Sequence, residues 1–144
     1  MTRPALLTAT LLAAALAGCQ TPKAGAGTPA PAVCAAGGAQ MARVELIFGQ
    51  NVFGGTGISE DEWYDFLSKE VTPRFPDGLT AYDAYGQWKH PDKGVVRLTS
   101  KVLVIWYAPS AKAEADIEAI RDAYKRLFKQ ISVMRVDGLD CVSF

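Results

Sequence analysis

The sequence is poor in the residues from which most metal and catalytic sites are built. It contains one histidine, His90, and three cysteines among 144 residues, and none of these stand at the short spacing of a metal site. Basic and acidic side chains number 15 each, without a block of like charge that would bind nucleic acid. The glycines at 54, 55 and 57 match neither a dinucleotide nor a phosphate-loop pattern. The sequence therefore predicts no cofactor, no metal ion and no nucleic-acid partner.

Long apolar runs are also scarce. The single one, residues 5–16, follows the short positive start Met-Thr-Arg. It is shorter than the about 20 apolar residues of a transmembrane helix, and has the length typical of a secretory signal. It ends in Leu16-Ala17-Gly18-Cys19, which resembles the lipobox of bacterial lipoproteins. The resemblance implies cleavage before Cys19 and lipid attachment to that cysteine, which would anchor the protein in a membrane of the cell envelope. Gln20 then favours the outer membrane, facing the periplasm. The alternative is an ordinary cleaved signal with a cysteine nearby by chance.

Composition changes twice along the chain. Residues 19–40 are rich in Pro, Gly and Ala without apolar periodicity, and we expect a flexible tether there. Residues 41–144 hold all three Trp, all five Tyr and all six Phe, which is enough to form the core of one domain. The predicted organisation is a lipoprotein signal peptide at 1–18, a lipidated cysteine and tether at 19–40, and an α+β domain at 41–144.

The local patterns of the domain predict a ferredoxin-like split βαββαβ order, an antiparallel sheet with two helices on one face. Ser59 and Glu62 have the spacing of a capping box at the start of the first helix. Right-handed crossovers place the last strand antiparallel beside the first. The predicted elements are a strand at 42–52, a helix from Ser59 to Pro73, strands at 79–88 and 95–107, a helix from Ser110 to about residue 130 with a buried stripe of Ile117, Ile120, Tyr124, Leu127 and Ile131, and a strand at 132–136 that continues extended after Asp137-Gly138.

The two middle strands are predicted to form a hairpin with a loop of three or five residues. Only an odd-numbered loop brings the polar sets of both strands to one face, because a one-residue slip turns every side chain over. Asp83 then lies directly or diagonally across from Lys101, as an ion pair. The shared polar face contains Asp83, Tyr85, Gln87, Arg97, Thr99 and Lys101, opposite the apolar set Val96, Leu98, Val102, Val104 and Trp106.

We expect this polar face to be the open face of the sheet, since helices cover only one side. It continues into three apolar residues, Leu103, Ile105 and Tyr107. Three alternatives remain for it. The face is solvated, it packs on a second copy as in dimeric αβ-barrel proteins, or it binds a small ligand in a cleft floored by Tyr85 and Tyr107.

Two cysteines remain once Cys19 is lipidated. Cys34 precedes the first strand, and Cys141 lies near the end of the last strand. The topology places the last strand beside the first. Because an exported protein meets an oxidising compartment, we predict a disulfide between them. The alternative is two unpaired thiols.

Several short stretches of the domain carry a resemblance. They are Thr72-Pro73-Arg74-Phe75-Pro76-Asp77-Gly78-Leu79-Thr80, Asp83, Gly86-Gln87-Trp88, Ser100-Lys101-Val102-Leu103, Ala123-Tyr124-Lys125 and Val142-Ser143-Phe144. Together they resemble a bacterial family of exported proteins catalogued as domain of unknown function 3574, over about residues 41–144. The resemblance implies a compact α+β domain on a lipoprotein or secreted precursor, and no particular activity.

These observations favour an envelope lipoprotein of unknown activity. Its domain is expected to be a non-enzymatic binding module that uses the open sheet face. The expected partners are the membrane, through the lipid, and a second copy or another envelope protein. The alternative is an enzyme of the dimeric αβ-barrel type, a cofactor-independent oxygenase or isomerase. It would need a base, and Asp83 and Glu45 are the candidates.

Overall fold

The computed structural model describes residues 34–35, 37–51, 57–92 and 94–144, without the side chain of His90. The strands are β1 (Ala39–Gly49), β2 (Thr80–His90), β3 (Gly94–Tyr107) and β4 (Met134–Val142), and the helices are α1 (Glu60–Phe66) and α2 (Ala111–Leu127). The sheet has the order β2-β3-β1-β4 with antiparallel pairs throughout. This is the predicted ferredoxin-like βαββαβ fold. The predicted signal peptide, Cys19 and the tether up to residue 33 lie outside the described residues.

The first helix begins at the predicted capping box. The Ser59 backbone N–H donates to Glu62 Oε2 over 2.9 Å, and the Glu62 N–H donates to Ser59 Oγ over 3.3 Å. The hydrogen bonds from the Ser59 backbone and then from its side chain lower the pKa of Glu62. After α1 the chain widens into a π-helical turn, Leu67–Val71, closed by a 2.8 Å hydrogen bond from the Thr72 N–H to the Leu67 carbonyl. Pro73 follows and, having no N–H, cannot extend the helix.

The hydrophobic core lies between the two helices and one face of the sheet. Phe48 of β1 is at its centre, and its ring meets those of Trp63, Phe66 and Tyr124 edge-on, at centroid distances of 5.3, 5.7 and 4.6 Å. Such edge-to-face contacts add to the free energy of burying the rings. The other buried residues of the cluster include Val44, Leu46, Val71, Phe75, Leu103, Ile105, Tyr107, Ile117, Ile120 and Val133.

The second helix is capped by Ser110 as expected, its Oγ accepting from the Ala113 N–H, but its buried stripe is shorter than predicted. Leu127 and Ile131 are 52% and 85% exposed, so their assignment to the core is wrong. The helix ends at Leu127, and Lys129 takes a left-handed conformation with φ of 53°. Phe128, the residue after the helix, packs against the core instead, with its ring 6.1 Å from that of Phe66 and 4.7 Å from that of Tyr124.

The hairpin confirms the odd-numbered loop. His90 pairs with Gly94, so three residues of sequence join the two strands. Gly94 has φ of +72°, the left-handed conformation that closes this class of hairpin and that glycine adopts without strain. The same register sets Asp83 directly opposite Lys101.

The last strand runs without a break through Asp137-Gly138, where we had expected an interruption. Gly138 pairs with Arg43 of β1. A Cβ at Gly138 would lie 3.0 Å from Arg43 Nη2. The missing side chain therefore leaves room for the guanidinium to lie across β4.

The start of the domain is joined to its last strand by a disulfide. Cys34 and Cys141 are bonded with their Cα atoms 5.4 Å apart. Cys141 pairs with Gln40 of β1, so the antiparallel neighbours bring the two cysteines together. This is the pairing expected from the predicted topology.

Candidate functional site

The polar residues of the hairpin share one face, as expected, but it is not the open face. Lys101 lies opposite Phe48, and Leu103 opposite Leu46; opposed residues of an antiparallel pair point to the same side. That side is the one covered by α1 and α2. The prediction of an open face is therefore wrong for Asp83, Tyr85, Gln87, Arg97, Thr99, Lys101 and Tyr107.

The physical reason is that β3 is a central strand with apolar residues on both faces. Val102, Leu103, Val104 and Ile105 are all less than 7% exposed. Alternation along such a strand separates two faces without telling which one meets the helices.

Lys101 is the best-defined polar group of this helix-covered side. Its side chain is 9% exposed, and its Nζ lies 2.6 Å from both Asp83 Oδ1 and Glu60 Oε1. Burial lowers the pKa of Lys101, but the hydrogen bonds and charges of the two carboxylates outweigh it, and the pKa lies above its ordinary value. Sequence reasoning missed Glu60, because an acidic residue in the first turn is already explained by the helix dipole.

The remaining residues of the hairpin set lie toward its tip. Tyr85 is 86% exposed, and Gln87, Arg97 and Thr99 are exposed as well. With Asn51 they border an open groove of about 490 Å³. Except for the partly buried Leu98, the side chains that line the groove are exposed.

Tyr107 lies at the other end of the sheet from Tyr85. Tyr85 pairs with Thr99, and Tyr107 lies eight positions farther along β3 than Thr99, about 26 Å at the rise of a strand. The proposed cleft floored by both tyrosines is therefore wrong. The Tyr107 ring packs against Phe75 at 5.9 Å, and its hydroxyl donates to Glu114 Oε1 over 2.9 Å. Burial, then the hydrogen bond and charge of Glu114, raises the pKa of Tyr107 to about 12.

Glu114 continues into an ion-pair network between α2 and β4. Arg135 lies 2.6 Å from Glu114, 2.9 Å from Glu118 and 2.8 Å from Asp137. The hydrogen bond from Arg135, and next the one from Tyr107, holds the pKa of Glu114 below its usual range. This network ties the helix to the edge strand and needs no ligand.

The open face is the opposite side of the sheet, and an apolar row crosses it from edge to edge. The row consists of Tyr82, Val102, Ile47 and Met134, each directly opposite the next on adjacent strands. Tyr82 and Met134, at the two ends, are 49% and 60% exposed. Further large apolar side chains on this face are Trp88, Trp106 and Val136, at 49%, 37% and 41% exposure.

A small polar group borders the apolar row. Arg43 is paired with Glu45, and its Nε lies 2.9 Å from Asp140. Trp106 Nε1 donates to the same Asp140 carboxylate over 2.8 Å. One positive and two negative charges leave this group with a net charge of −1. The face is thus mainly apolar and slightly acidic.

Two further findings concern the part of the chain that the structure describes. Within it, no three His, Cys, Asp or Glu side chains are grouped as a metal ion would require. No helix among these residues is long and apolar enough to cross a bilayer.

Comparison with solved structures shows the same fold elsewhere. A phage SAM lyase in complex with S-methyl-5'-thioadenosine is similar at 16% identity, over 80% of this chain and 96% of that one, with a TM-score of 0.54. The apo state of a phage SAM lyase matches at 16% identity over 75% and 91%, with a TM-score of 0.50. A dimeric ferredoxin-like protein from an uncultured marine organism matches at 15% identity over 73% and 96%, with a TM-score of 0.30. At 16% identity, the likeness to the two phage SAM lyase structures shows the fold alone.

Comparison by sequence points to one family. No curated protein matches the chain. The model of a family described as protein of unknown function, DUF3574, matches residues 43–144, which include all four sheet strands from Arg43 of β1 onward and both helices. The chain therefore belongs to the DUF3574 family, as its motifs indicated.

Proposed function

We propose that this protein is an envelope lipoprotein whose domain is a non-enzymatic binding module. The lipid is attached to Cys19 after removal of residues 1–18, and the domain faces the periplasm from the outer membrane. Binding takes place on the open sheet face and the partner is a protein. The apolar row from Tyr82 to Met134 is the observation that carries the proposal.

The two ends of this row, Tyr82 and Met134, expose large apolar side chains that are costly to leave in water, while Val102 in its middle is 4% exposed. Monomeric proteins rarely expose contiguous apolar patches of more than a few hundred Å², and larger ones mark interaction sites. Aromatic residues and Met, which are enriched at protein interfaces, supply the most exposed of the large apolar positions here: Tyr82, Trp88 and Met134. The row therefore favours a protein partner over free solvent.

The lipoprotein part of the proposal rests on the sequence around Cys19, and the disulfide supports it. Disulfides persist in oxidising compartments such as the periplasm. The Cys34–Cys141 bond is consistent with export, and with Cys19 being the one cysteine left for a lipid.

The enzyme alternative receives less support. The two carboxylates available as a general base are both ion-paired, Asp83 with Lys101 and Glu45 with Arg43. The likeness to phage SAM lyase is a likeness of fold at 16% identity, and it brings no substrate to this chain.

The proposal is tested by hydroxyl-radical footprinting of the full chain in its membrane. Tyr82 and Tyr85 are the same residue type on the same strand, but they lie on opposite faces and are 49% and 86% exposed. In a free domain the ratio of their labelling rates should follow these exposures. If the open face is occupied, we expect Tyr82 labelling to fall several-fold while Tyr85 labelling is unchanged. A ratio that stays near the free-domain value contradicts the proposal.

The anchor is tested separately. Cys19→Ala should abolish the incorporation of labelled fatty acid into the protein, since the proposed lipid is attached to that cysteine. Cys34→Ala leaves the lipid site intact and serves as the control. A Cys19→Ala protein that takes up as much labelled fatty acid as the wild-type protein would refute the lipoprotein assignment.

A further inference from the structure

We propose that the partner on the open sheet face is a second copy of this chain, packed sheet against sheet about a two-fold axis. The inference rests on the proposed function, because it names the partner of the same face. The apolar row becomes the centre of a symmetric interface.

The size of the face fits such a dimer. Four strands about 4.8 Å apart, each about nine residues long at about 3.3 Å per residue, give a footprint of about 19 by 30 Å, or about 570 Å². Protruding side chains such as Tyr82, Trp88 and Trp106 raise the accessible area above this flat footprint. A stable interface buries about 800 Å² per partner. The open face therefore has about the area that a dimer needs.

The arrangement of the row is self-complementary. A two-fold axis parallel to the strands, between β1 and β3, lays β2 of one copy over β4 of the other. Tyr82 then faces Met134 of the second copy at both ends of the row. A thioether beside an aromatic ring is a favourable contact. In the middle of the row, Val102 faces Ile47, so that apolar groups meet apolar groups along its whole length.

The same axis leaves the charged residues beside the apolar row, Arg43, Glu45 and Asp140, paired within their own copy. Arg43 stays paired with its own Glu45 and Asp140, and it faces Trp106 of the second copy, since these residues are neighbours on β1 and β3. A guanidinium over an indole ring is attractive. The net charge of −1 in this group disfavours an anionic membrane surface as the occupant.

Lipid anchoring would also favour this association. Two domains held on tethers at one membrane meet at a higher effective concentration than in solution. A two-fold contact is closed, because both copies use the same patch and leave no free face for further growth.

The test is photo-crosslinking in intact cells, with the full chain and a photoreactive phenylalanine at position 82. Two copies with different tags are co-expressed. We expect an adduct of twice the chain mass that carries both tags. The matched control places the photoreactive residue at position 85, which lies on the same strand and faces the other way. We expect at least a tenfold lower yield of the double-mass adduct there.

A second variant tests the interface without risk to the fold. Met134→Asp puts a charge on the apolar row at a residue that is already 60% exposed, and it should reduce the adduct from position 82 at least tenfold. Leu139→Asp, on the same strand but on the helix-covered side and 65% exposed, should leave it unchanged. Resistance to protease, which is expected to be the same in both variants, reports on folding.

The possible outcomes separate the inference from the proposed function. An adduct from position 82 that contains one tagged copy and another protein overturns the second-copy inference and leaves the binding function standing. No adduct from position 82 overturns both. Equal double-mass adducts from positions 82 and 85 indicate random collision and also overturn the inference.

Discussion

The ammonium group of Lys101 on β3 lies 2.6 Å from the Asp83 carboxylate on β2, directly across the hairpin. The pair exists because the loop of three residues sets these two positions directly opposite one another. The Lys101 side chain is 9% exposed, whereas the side chain of Asp83 is 68% exposed. A nearly buried positive charge is thus neutralised from the solvent side, with Glu60 of α1 as the second carboxylate.

Removal of both carboxylates should cost more than the sum of the single removals. Asp83→Asn or Glu60→Gln alone should lower the free energy of unfolding by less than about 1 kcal/mol, because the other carboxylate remains and both are exposed. Together they leave Lys101 buried without a counter-charge, and we expect at least about 1 kcal/mol of additional loss. Urea unfolding of the four proteins measures this. In a Lys101→Met background the additional loss of the double variant should vanish. If the effects of Asp83→Asn and Glu60→Gln on the free energy of unfolding are additive while Lys101 is present, the prediction is contradicted.

The disulfide should contribute strongly to stability. It closes a loop with a sequence separation of 107 residues, and in the chain-entropy model such a cross-link is worth about 4–5 kcal/mol. We expect a reducing agent to lower the denaturation midpoint of the wild-type protein markedly. The double variant Cys34→Ser/Cys141→Ser should already have the lower midpoint and should not respond to the reducing agent. If the reducing agent leaves the denaturation midpoint of the wild-type protein unchanged, that result would be inconsistent with the Cys34–Cys141 disulfide.

Glu114 should make the protein sensitive to acid. Its pKa in the folded protein is lowered by Arg135 and Tyr107 from an ordinary value of 4.5. The resulting stabilisation is present in full above that ordinary value and is lost as the pH falls through the lower folded pKa. Because the Glu114 side chain is 48% exposed, solvent screens the pair and the effect is less than about 1 kcal/mol.

Arg135→Met tests this contribution. The variant should be less stable than the wild-type protein at pH 7, and the difference should shrink between pH 5 and pH 3. Lys112→Met, which removes a pair to Asp116 from an 80% exposed lysine, is the control for a general charge effect. Equal pH dependence of the wild-type and Arg135→Met proteins would contradict the prediction.

Tyr107 should make the protein sensitive to alkali. Burial raises its pKa to about 12 in the folded protein, above the value of about 10 in an unfolded chain. The folded state therefore keeps the hydroxyl proton of Tyr107 up to a higher pH than the unfolded state does. The free energy of unfolding falls as the pH rises from about 10 to about 12. The slope from this group approaches about 1.4 kcal/mol per pH unit. In Tyr107→Phe the loss of stability between pH 10 and pH 11 should be smaller, by about 1 kcal/mol, in denaturant titrations. An unchanged slope would contradict this.

Much of the fold could be predicted because local rules set it. The capping box of Ser59 and Glu62 needs only three residues of spacing. The pairing of Asp83 with Lys101 follows from alternation and the parity of one short loop. The topology then places Cys141 near Cys34. Each step depends on residues close in sequence, or on the handedness of the chain.

The face of the hairpin that the helices cover could not be predicted in this way. The alternation of β1, with Val44, Leu46 and Phe48 buried on one side, carries the signal for the helix-covered face. To infer from β1 which face of the hairpin is covered, one must know the register between β1 and β3, in which Leu46 lies opposite Leu103. No short turn joins these strands, since a helix and β2 separate them in sequence.

The sequence by itself thus determined the order of the elements, their caps and the odd number of loop residues in the hairpin, and it predicted the pairing of Cys34 with Cys141. Only the tertiary structure decided which face of the hairpin the helices cover, because β3 is apolar on both sides and burial of either face is compatible with its sequence. Lys101 therefore lies on the covered side, paired with Glu60 of α1, and Tyr82 and Met134 are exposed on the opposite side.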